Sequence, residues 1–353
     1  MFTETIERTR RGTGFRRRLL GLLAGPHGVD RYTELVDPMW TSEDRATVVR
    51  VSRSKPRSVT LWLRPNHPRA GFRAGQFHTV TVEIDGRRHS RCYSPANAEG
   101  VDLIELTVAR HESGVVSEFL HRAARPGMTV GLSAPAGDFV LPRPRPRRLL
   151  LIAGGSGITP VMSMIRTLSE EWYDGEIAVL HYVRTIDDAC YREHLATLPD
   201  VRVLHCSTRD RSGDLHGHVD GAHLFAAMPE PDAVYVCGPP ALVEAVRAVH
   251  PAAVAESFTP ATPVIPESPG CGRITFSGSG IDIADDGRPL LDQAEKAGLT
   301  PQSGCRMGIC HTCTRRKVSG MVRNLTTGAI STADDDAVQI CVSVPVGDVD
   351  IDL

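Results

Sequence analysis

The sequence predicts a multidomain chain: an antiparallel β-barrel, then a doubly wound parallel α/β domain, then a smaller α+β domain. Three observations carry this expectation. Short β-branched runs broken by Gly, Pro, Asn and Asp fill residues 45–143, the pattern of an antiparallel barrel or sandwich. Near-continuous apolar strands alternate with helical stretches over 144–258, as a parallel sheet covered on both faces requires. The last segment, 271–353, holds a cysteine-rich loop and follows a proline-rich stretch at 259–270. At 353 residues the chain exceeds what one core usually serves.

In the first domain the strand candidates are ATVVRVSRS, SVTLWLRP, FHTVTVEIDG, RHSRCYSPA, LIELTVAR and MTVGLSAPAGDF, with one helical pattern at Val115–Ala123. The domain closes at the P-R-P-R-P-R-R stretch, 142–148. In the second, LLLIAGG (149–155), EIAVLHYV (176–183), VRVLHCS (201–207) and AVYVCG (233–238) read as strands. Helices are expected from Pro160, over Arg192–Leu198 and over Ala241–Val249. Pro260, Pro263, Pro266 and Pro269 make 259–270 an extended, semi-rigid linker.

Composition excludes some classes. Apolar content of 41% and charged content of 23% are ordinary for a globular protein. A net charge of −2 argues against nucleic acid as the partner. Five of the nine cysteines, Cys92, Cys190, Cys206, Cys237 and Cys271, are scattered, which fits reduced thiols in the cytoplasm. No run of about 18 apolar residues is present to span a membrane. Residues 1–44 form a basic extension with six arginines before position 19, and the apolar patch Leu19–Gly25 is short for a signal peptide. A plain surface helix and a basic anchor touching the cytoplasmic membrane face are both open for it.

The most specific motif lies near the end of the chain. Cys305, Cys310 and Cys313 follow the spacing C-x₄-C-x₂-C, and Cys341 supplies a fourth thiol. That is the plant-type arrangement in which four thiolates hold two irons, a 2Fe–2S cluster. Gly304 and Gly308 suit a loop that wraps tightly around the sulfurs. Structural zinc also uses four thiolates, but favours paired C-x₂-C knuckles.

Upstream motifs point to nucleotides. Arg91-Cys92-Tyr93-Ser94 offers a guanidinium fork for a phosphate, a flat ring and a hydroxyl. Gly114-Val115-Val116-Ser117 opens the single helix of the first domain, and a helix N-terminus binds anions. Alone, each is better explained by a surface strand and an ordinary cap. Gly154-Gly155-Ser156-Gly157-Ile158-Thr159-Pro160 joins a buried strand to a helix, where nucleotide phosphates sit in parallel sheets. Cys237-Gly238-Pro239-Pro240 closes a later strand in the same way, which suits either packing or the nicotinamide side. Ser207 and Arg209 end the intervening strand, where an arginine can hold the 2′-phosphate that distinguishes NADPH from NADH, although Asp210 is adjacent.

In this order the four motifs resemble the ferredoxin–NADP⁺ reductase superfamily, over roughly residues 45–353. With the cysteine loop they are similar to its members fused to a C-terminal plant-type ferredoxin. The resemblance implies a flavin-binding barrel, an NAD(P)H domain and a β-grasp-like 2Fe–2S domain. It implies FAD, rather than the FMN of the phthalate-dioxygenase-reductase branch, held by Arg91, Tyr93, Ser94, Gly114–Ser117 and Phe258. NADPH is then expected on Gly155, Gly157, Thr159, Pro160, Ser207, Arg209 and Cys237–Pro239, with Tyr93, Ser94 and Cys237 at the reacting end. Cys305, Cys310, Cys313 and Cys341 are the expected iron ligands, paired as the first two and the last two.

The expected activity is NADPH-dependent: hydride to flavin, then single electrons through the cluster to an external acceptor protein. Tyr32 and Asp37-Pro38-Met39-Trp40 resemble the partners of membrane di-iron fatty acyl-CoA desaturases, which makes such a desaturase the first expectation for that acceptor. A Rieske or di-iron oxygenase and the hybrid-cluster-protein system are the alternatives. From a different class, a zinc-binding, non-enzymatic scaffold or sensor is the competing reading. The segment 271–353 carries eleven acidic against eight basic residues, and the rest 31 against 32. The opposite signs favour docking, and the run Asp334–Asp336 marks a face for partner choice.

Overall fold

The computed structural model describes residues 45–55, 57–66, 71–111, 114–258, 272–308 and 311–353. The basic extension, the linker 259–270 and Cys310 lie outside the described residues.

Six strands form the first sheet: β1 (Arg45–Lys55), β2 (Ser58–Pro65), β3 (His78–Ile84), β4 (Arg87–Tyr93), β5 (Ile104–Ala109) and β6 (Thr129–Leu132). Their order is β4-β3-β6-β1-β2-β5, and every pair is antiparallel. Alternate residues point inward because side chains alternate along a strand. Val59, Leu61 and Leu63 of β2 thus share one core with Val80, Val82 and Leu106. The helix α1 (Val115–Ala123) closes that core with Val116 and Leu120.

The second sheet comprises β7 (Arg148–Gly154), β8 (Glu176–Val183), β9 (Val201–Ser207), β10 (Leu215–His216), β11 (Ala233–Cys237) and β12 (Val254–Glu256). It runs β10-β9-β8-β7-β11-β12, all parallel. Both faces of β7 are covered. Leu149 and Leu151 meet α2 (Ile158–Glu170), while Leu150 and Ile152 meet α4 (Gly221–Ala227) and α5 (Pro240–Val249). The helix expected from Pro160 begins two residues earlier, and that expected over Arg192–Leu198 is one turn, α3 (Arg192–Leu195).

A polar network joins the two sheets. The Tyr191 hydroxyl lies 2.5 Å from Thr107 Oγ1 and donates to Glu105 Oε1 at 3.1 Å. Arg166 donates to Glu105 Oε2 at 3.1 Å and to the Ala96 carbonyl at 2.8 Å. Tyr191 reaches this network with φ of 61°, a left-handed conformation that costs a tyrosine energy.

The third sheet is mixed. It contains β13 (Arg273–Phe276), β14 (Ile281–Ala284), β15 (Thr314–Asn324), β16 (Ile330–Ser331), β17 (Asp336–Gln339) and β18 (Ser343–Ile351), in the order β14-β13-β18-β15-β16 with β17 on β15. Only β13 and β18 run parallel. The helix α6 (Leu290–Lys296) covers one face with Leu290, Leu291 and Ala294. Cys305 and Met307 of this domain pack on Phe77, Cys92, Ala136 and Phe258 of the other two. Among the described residues, no helix is long and apolar enough to cross a membrane.

Candidate electron-transfer site

Two glycine turns at the carboxyl edge of the parallel sheet rest on each other. A Cβ added at Gly157 would lie 2.1 Å from the Cys237 carbonyl, and one at Gly154 would lie 2.7 Å from Pro239. Glycine is needed there for backbone approach, not only for turning. Gly155 takes φ of 54° and stays exposed, which opens the turn outward. The Thr159 hydroxyl donates to the Ser156 carbonyl at 3.2 Å, and Pro160 sits within the first turn of α2. The structure therefore brings Gly155, Gly157, Thr159 and Pro160 beside Cys237, Gly238 and Pro239.

Cys237 is fully buried, and burial holds its thiol well above the usual range, with Glu256 adding to the effect. Such a neutral thiol is a small apolar contact rather than a nucleophile. The strand next door places Glu256 opposite Cys237. Burial, with Asp138 nearby, pushes the Glu256 carboxyl up to about 8, and its Oε2 has no hydrogen-bond partner.

At the end of β9, Ser207 is buried and donates to the Asp210 carbonyl at 2.9 Å, so its hydroxyl has an internal task. Arg209 is exposed above it. Asp210 accepts from the Ser212 hydroxyl at 2.7 Å and from its amide at 3.1 Å.

On the barrel side, the pleat of β4 splits the Arg91–Ser94 motif between two faces. Tyr93 packs against the barrel core, and burial raises its hydroxyl pKa. Cys92 faces the apolar contact with Cys305. Ser94 is 3% exposed, and its Oγ has no partner in the structure. A buried hydroxyl without a partner is costly, which fits a polar ligand at this position. Gly114 caps α1 without a side-chain bond. Ser117 donates back to the Gly114 carbonyl at 3.0 Å, and the first amides of α1, from Val115 on, have no partner within the helix.

The cysteine loop completes the site. Cys305, Cys313 and Cys341 are buried. Cys341 has its thiol pKa raised by a hydrogen bond with Cys313, by burial and by Cys305. The Met307 amide donates to Cys305 Sγ at 3.3 Å. Gly308, at φ of 76°, and Arg306, at 58°, turn the loop, and Arg306 pairs with Asp292 at 3.3 Å and with Glu295. Crowded thiols with backbone amides aimed at them suit anionic cluster ligands. Among the described residues no three side chains converge on one point as ligands of a single ion would.

A cavity of about 520 Å³ lies where the three domains meet. Asp138 and Phe139 line it from the barrel, Pro240, Arg247, Glu256 and Ser257 from the α/β domain, and Met307, Leu325 and Thr326 from the last domain. Phe258 borders the same region, edge-on to Phe77 with ring centroids 5.7 Å apart. Phe77 and Asp138 escaped the motif search because each sits outside any spaced pattern, and Met307 because it is one of the unspecified residues between Cys305 and Cys310.

Residues 48–141 match the family of oxidoreductase FAD-binding domains, 151–248 that of oxidoreductase NAD-binding domains, and 274–346 that of 2Fe-2S iron-sulfur cluster binding domains. A protein named NADPH oxidoreductase from Mycobacterium tuberculosis is 32% identical over 356 residues, spanning 96% of this chain and 92% of that one. A glycine betaine monooxygenase reductase subunit from Chromohalobacter salexigens is 29% identical over 78% of this chain and 85% of its own length. Among solved structures, phthalate dioxygenase reductase shares the fold, with a TM-score of 0.62 at 24% identity over 88% of this chain and 98% of its own.

The chain belongs to the ferredoxin–NADP⁺ reductase superfamily, among the members whose flavin reductase carries a C-terminal 2Fe–2S domain. It is an oxidoreductase that takes electrons from a nicotinamide nucleotide and uses FAD and a 2Fe–2S cluster to pass them on.

Proposed function

We propose that this chain is the NADPH-dependent reductase of an oxygen-activating iron enzyme. The observation that carries the reading is the junction of Cys92, Phe258, Cys305 and Met307, where flavin motif, nucleotide domain and cluster loop meet. The flavin and the cluster, when bound, supply the conversion of a hydride into single electrons.

The chain's own residues supply position and electrostatics. Arg91, Tyr93, Ser94, the α1 amides at Gly114–Ser117 and Phe258 would hold FAD; Cys305, Cys310, Cys313 and Cys341 would hold the irons. The nucleotide's pyrophosphate would lie on the Gly155–Thr159 turn, with its nicotinamide end at Cys237–Pro239. Arg209, exposed above a loop that Ser207 ties down, is the residue proposed to meet the 2′-phosphate. NADPH over NADH is also supported by the name of the Mycobacterium relative. Replacing Arg209 by Ala should cost about 1.5–3 kcal/mol of binding, the worth of a charge-assisted bond, and so lower kcat/KM for NADPH while sparing NADH. Unchanged preference would remove Arg209 from the assignment.

For the acceptor, the monooxygenase reductase relative supports a soluble oxygenase component. The membrane di-iron desaturase reading rests on Tyr32 and Asp37–Trp40, which resemble the partners of such desaturases, and on the basic, apolar leader. Reconstitution decides between them. Oxygen-dependent desaturation in membranes with NADPH, and none with soluble oxygenases, would establish the desaturase; the reverse would discard it.

A further inference from the structure

His181 lies on β8 directly beneath the first glycine turn and is fully buried. Its Nε2 is 3.2 Å from the Gly155 carbonyl oxygen. A carbonyl can only accept, so Nε2 carries the proton and Nδ1 is bare; Nδ1 has no partner. On the other side, the ring faces His205 of the neighbouring strand, with centroids 5.5 Å apart. Burial, then His205, pushes the His181 pKa down to about 3, so the ring is a neutral donor across the working pH range.

Gly155 needs such a restraint. Glycine explores more backbone conformations than any other residue, and Gly155 sits at φ of 54° with nothing within 4 Å of the place a Cβ would occupy. Its carbonyl also accepts from the Ile158 amide, which starts α2. In a planar trans peptide the carbonyl and the next N–H point in opposite directions. Drawing the Gly155 carbonyl inward therefore aims the Ser156 N–H outward, to the exposed side of the turn.

We propose that His181 is a positioning residue for nucleotide binding: through the Gly155 carbonyl it holds the Gly155–Ser156 peptide in the orientation that presents the Ser156 N–H to the pyrophosphate of NADPH. The assignment rests on the proposed placement of that pyrophosphate. It adds a part that touches no ligand and that no spacing in the turn itself reveals.

The test compares side chains by reach. His181→Gln would place an amide near the position of Nε2, whereas the amide of His181→Asn is too short and His181→Phe has none. Direct titration of the flavin-loaded proteins with NADP⁺, which does not react, reads the effect without turnover. His181→Phe and His181→Asn should weaken NADP⁺ about tenfold, the worth of one lost hydrogen bond, and raise the NADPH KM alike. His181→Gln should stay within about threefold of the parent by the same reasoning. In all three, kcat at saturating NADPH and flavin content should hold. If the Phe variant fails to fold, the Asn and Gln variants still decide.

Equal NADP⁺ affinity in the parent, Asn and Phe proteins would overturn the proposal. So would equal weakening by Asn and Gln, which would mean that ring packing, not the donor, matters. A parent that fails to bind NADP⁺ while retaining flavin would instead sink the nucleotide reading on which the proposal stands.

Discussion

The barrel and the α/β domain share an apolar seam, with Ala74, Ala96, Phe139 and Leu141 on the α/β core, and a polar network besides, whereas the described contact of the C-terminal domain with both is apolar alone. Tyr191, Thr107, Glu105 and Arg166 bond across the first boundary with directional geometry. Met307 and Cys305 meet Phe77, Cys92 and Phe258 across the second. Directional bonds fix one arrangement, because each partner left alone in the interior is penalised. Apolar contact is tolerant of sliding and separates without leaving orphaned polar groups. The first boundary suits two sites that must keep a fixed distance for hydride transfer. The second suits a domain that serves an inner donor and an outer acceptor.

The largest expected effect comes from the cluster itself. Cys305→Ser should abolish electron delivery to a protein acceptor while leaving NADPH-driven reduction of a small flavin-level acceptor such as ferricyanide. Visible and spin-resonance spectra would confirm cluster loss, and parallel loss of both activities would mean that the two regions are not separable. Next, Arg166→Ala strips Glu105 and the Ala96 carbonyl of a charged donor. It should destabilise the two-domain unit by about 1.5–3 kcal/mol in denaturant titration; no change would show that the network does not hold the boundary.

Met307→Asp places a charge in the apolar contact. It should leave that unfolding midpoint nearly unchanged but enlarge the scattering radius of the whole chain, because the last domain leaves its seat. An unchanged radius would contradict the loose-contact reading.

The last effect concerns Glu256 and is spread over several pH units. Its folded-state pKa of about 8 stands above the usual carboxylate value of 4.5, so the folded chain keeps a proton that the unfolded chain releases. Stability should therefore fall as pH rises from about 5 to about 8, by at most about 1.4 kcal/mol per unit. Glu256→Gln should flatten that slope, measured as melting temperature against pH. Identical slopes would place the carboxyl in contact with water.

Much of the fold was legible because burial imprints itself on local pattern. β2 alternates, being covered on one face, and β7 is apolar throughout, being covered on both. The shortest elements were not. β10 has two residues, β12 three, and α4 seven with a single side-chain cap from Asp220, too little sequence to show a period. The candidate site divided in the same way. Gly154–Pro160 and Cys305–Cys313 are contiguous, so their spacing announces them. The Arg166–Glu105–Tyr191 network and the His181–Gly155 contact join residues far apart in sequence, and no spacing records them. Ser207 shows a different gap: its type and place were evident, but the bond to Asp210 that employs its hydroxyl was not.

The parallel pairing of β13 with β18 has a consequence for how the protein is made. β18, synthesised after the other strands of this sheet, lies between β13 and β15 in the finished sheet. Until it arrives, β13 has only β14 beside it, and Cys341, two residues before β18, is missing from the set of thiols. Closing such a long-range pairing is slow compared with local structure. During translation, then, the barrel and α/β domain can fold while Cys305 and Cys313 wait, reduced and exposed. Iron loading should follow rather than accompany synthesis of this domain, and scarcity of iron or an excess of oxidant in the cell should strike nascent chains first.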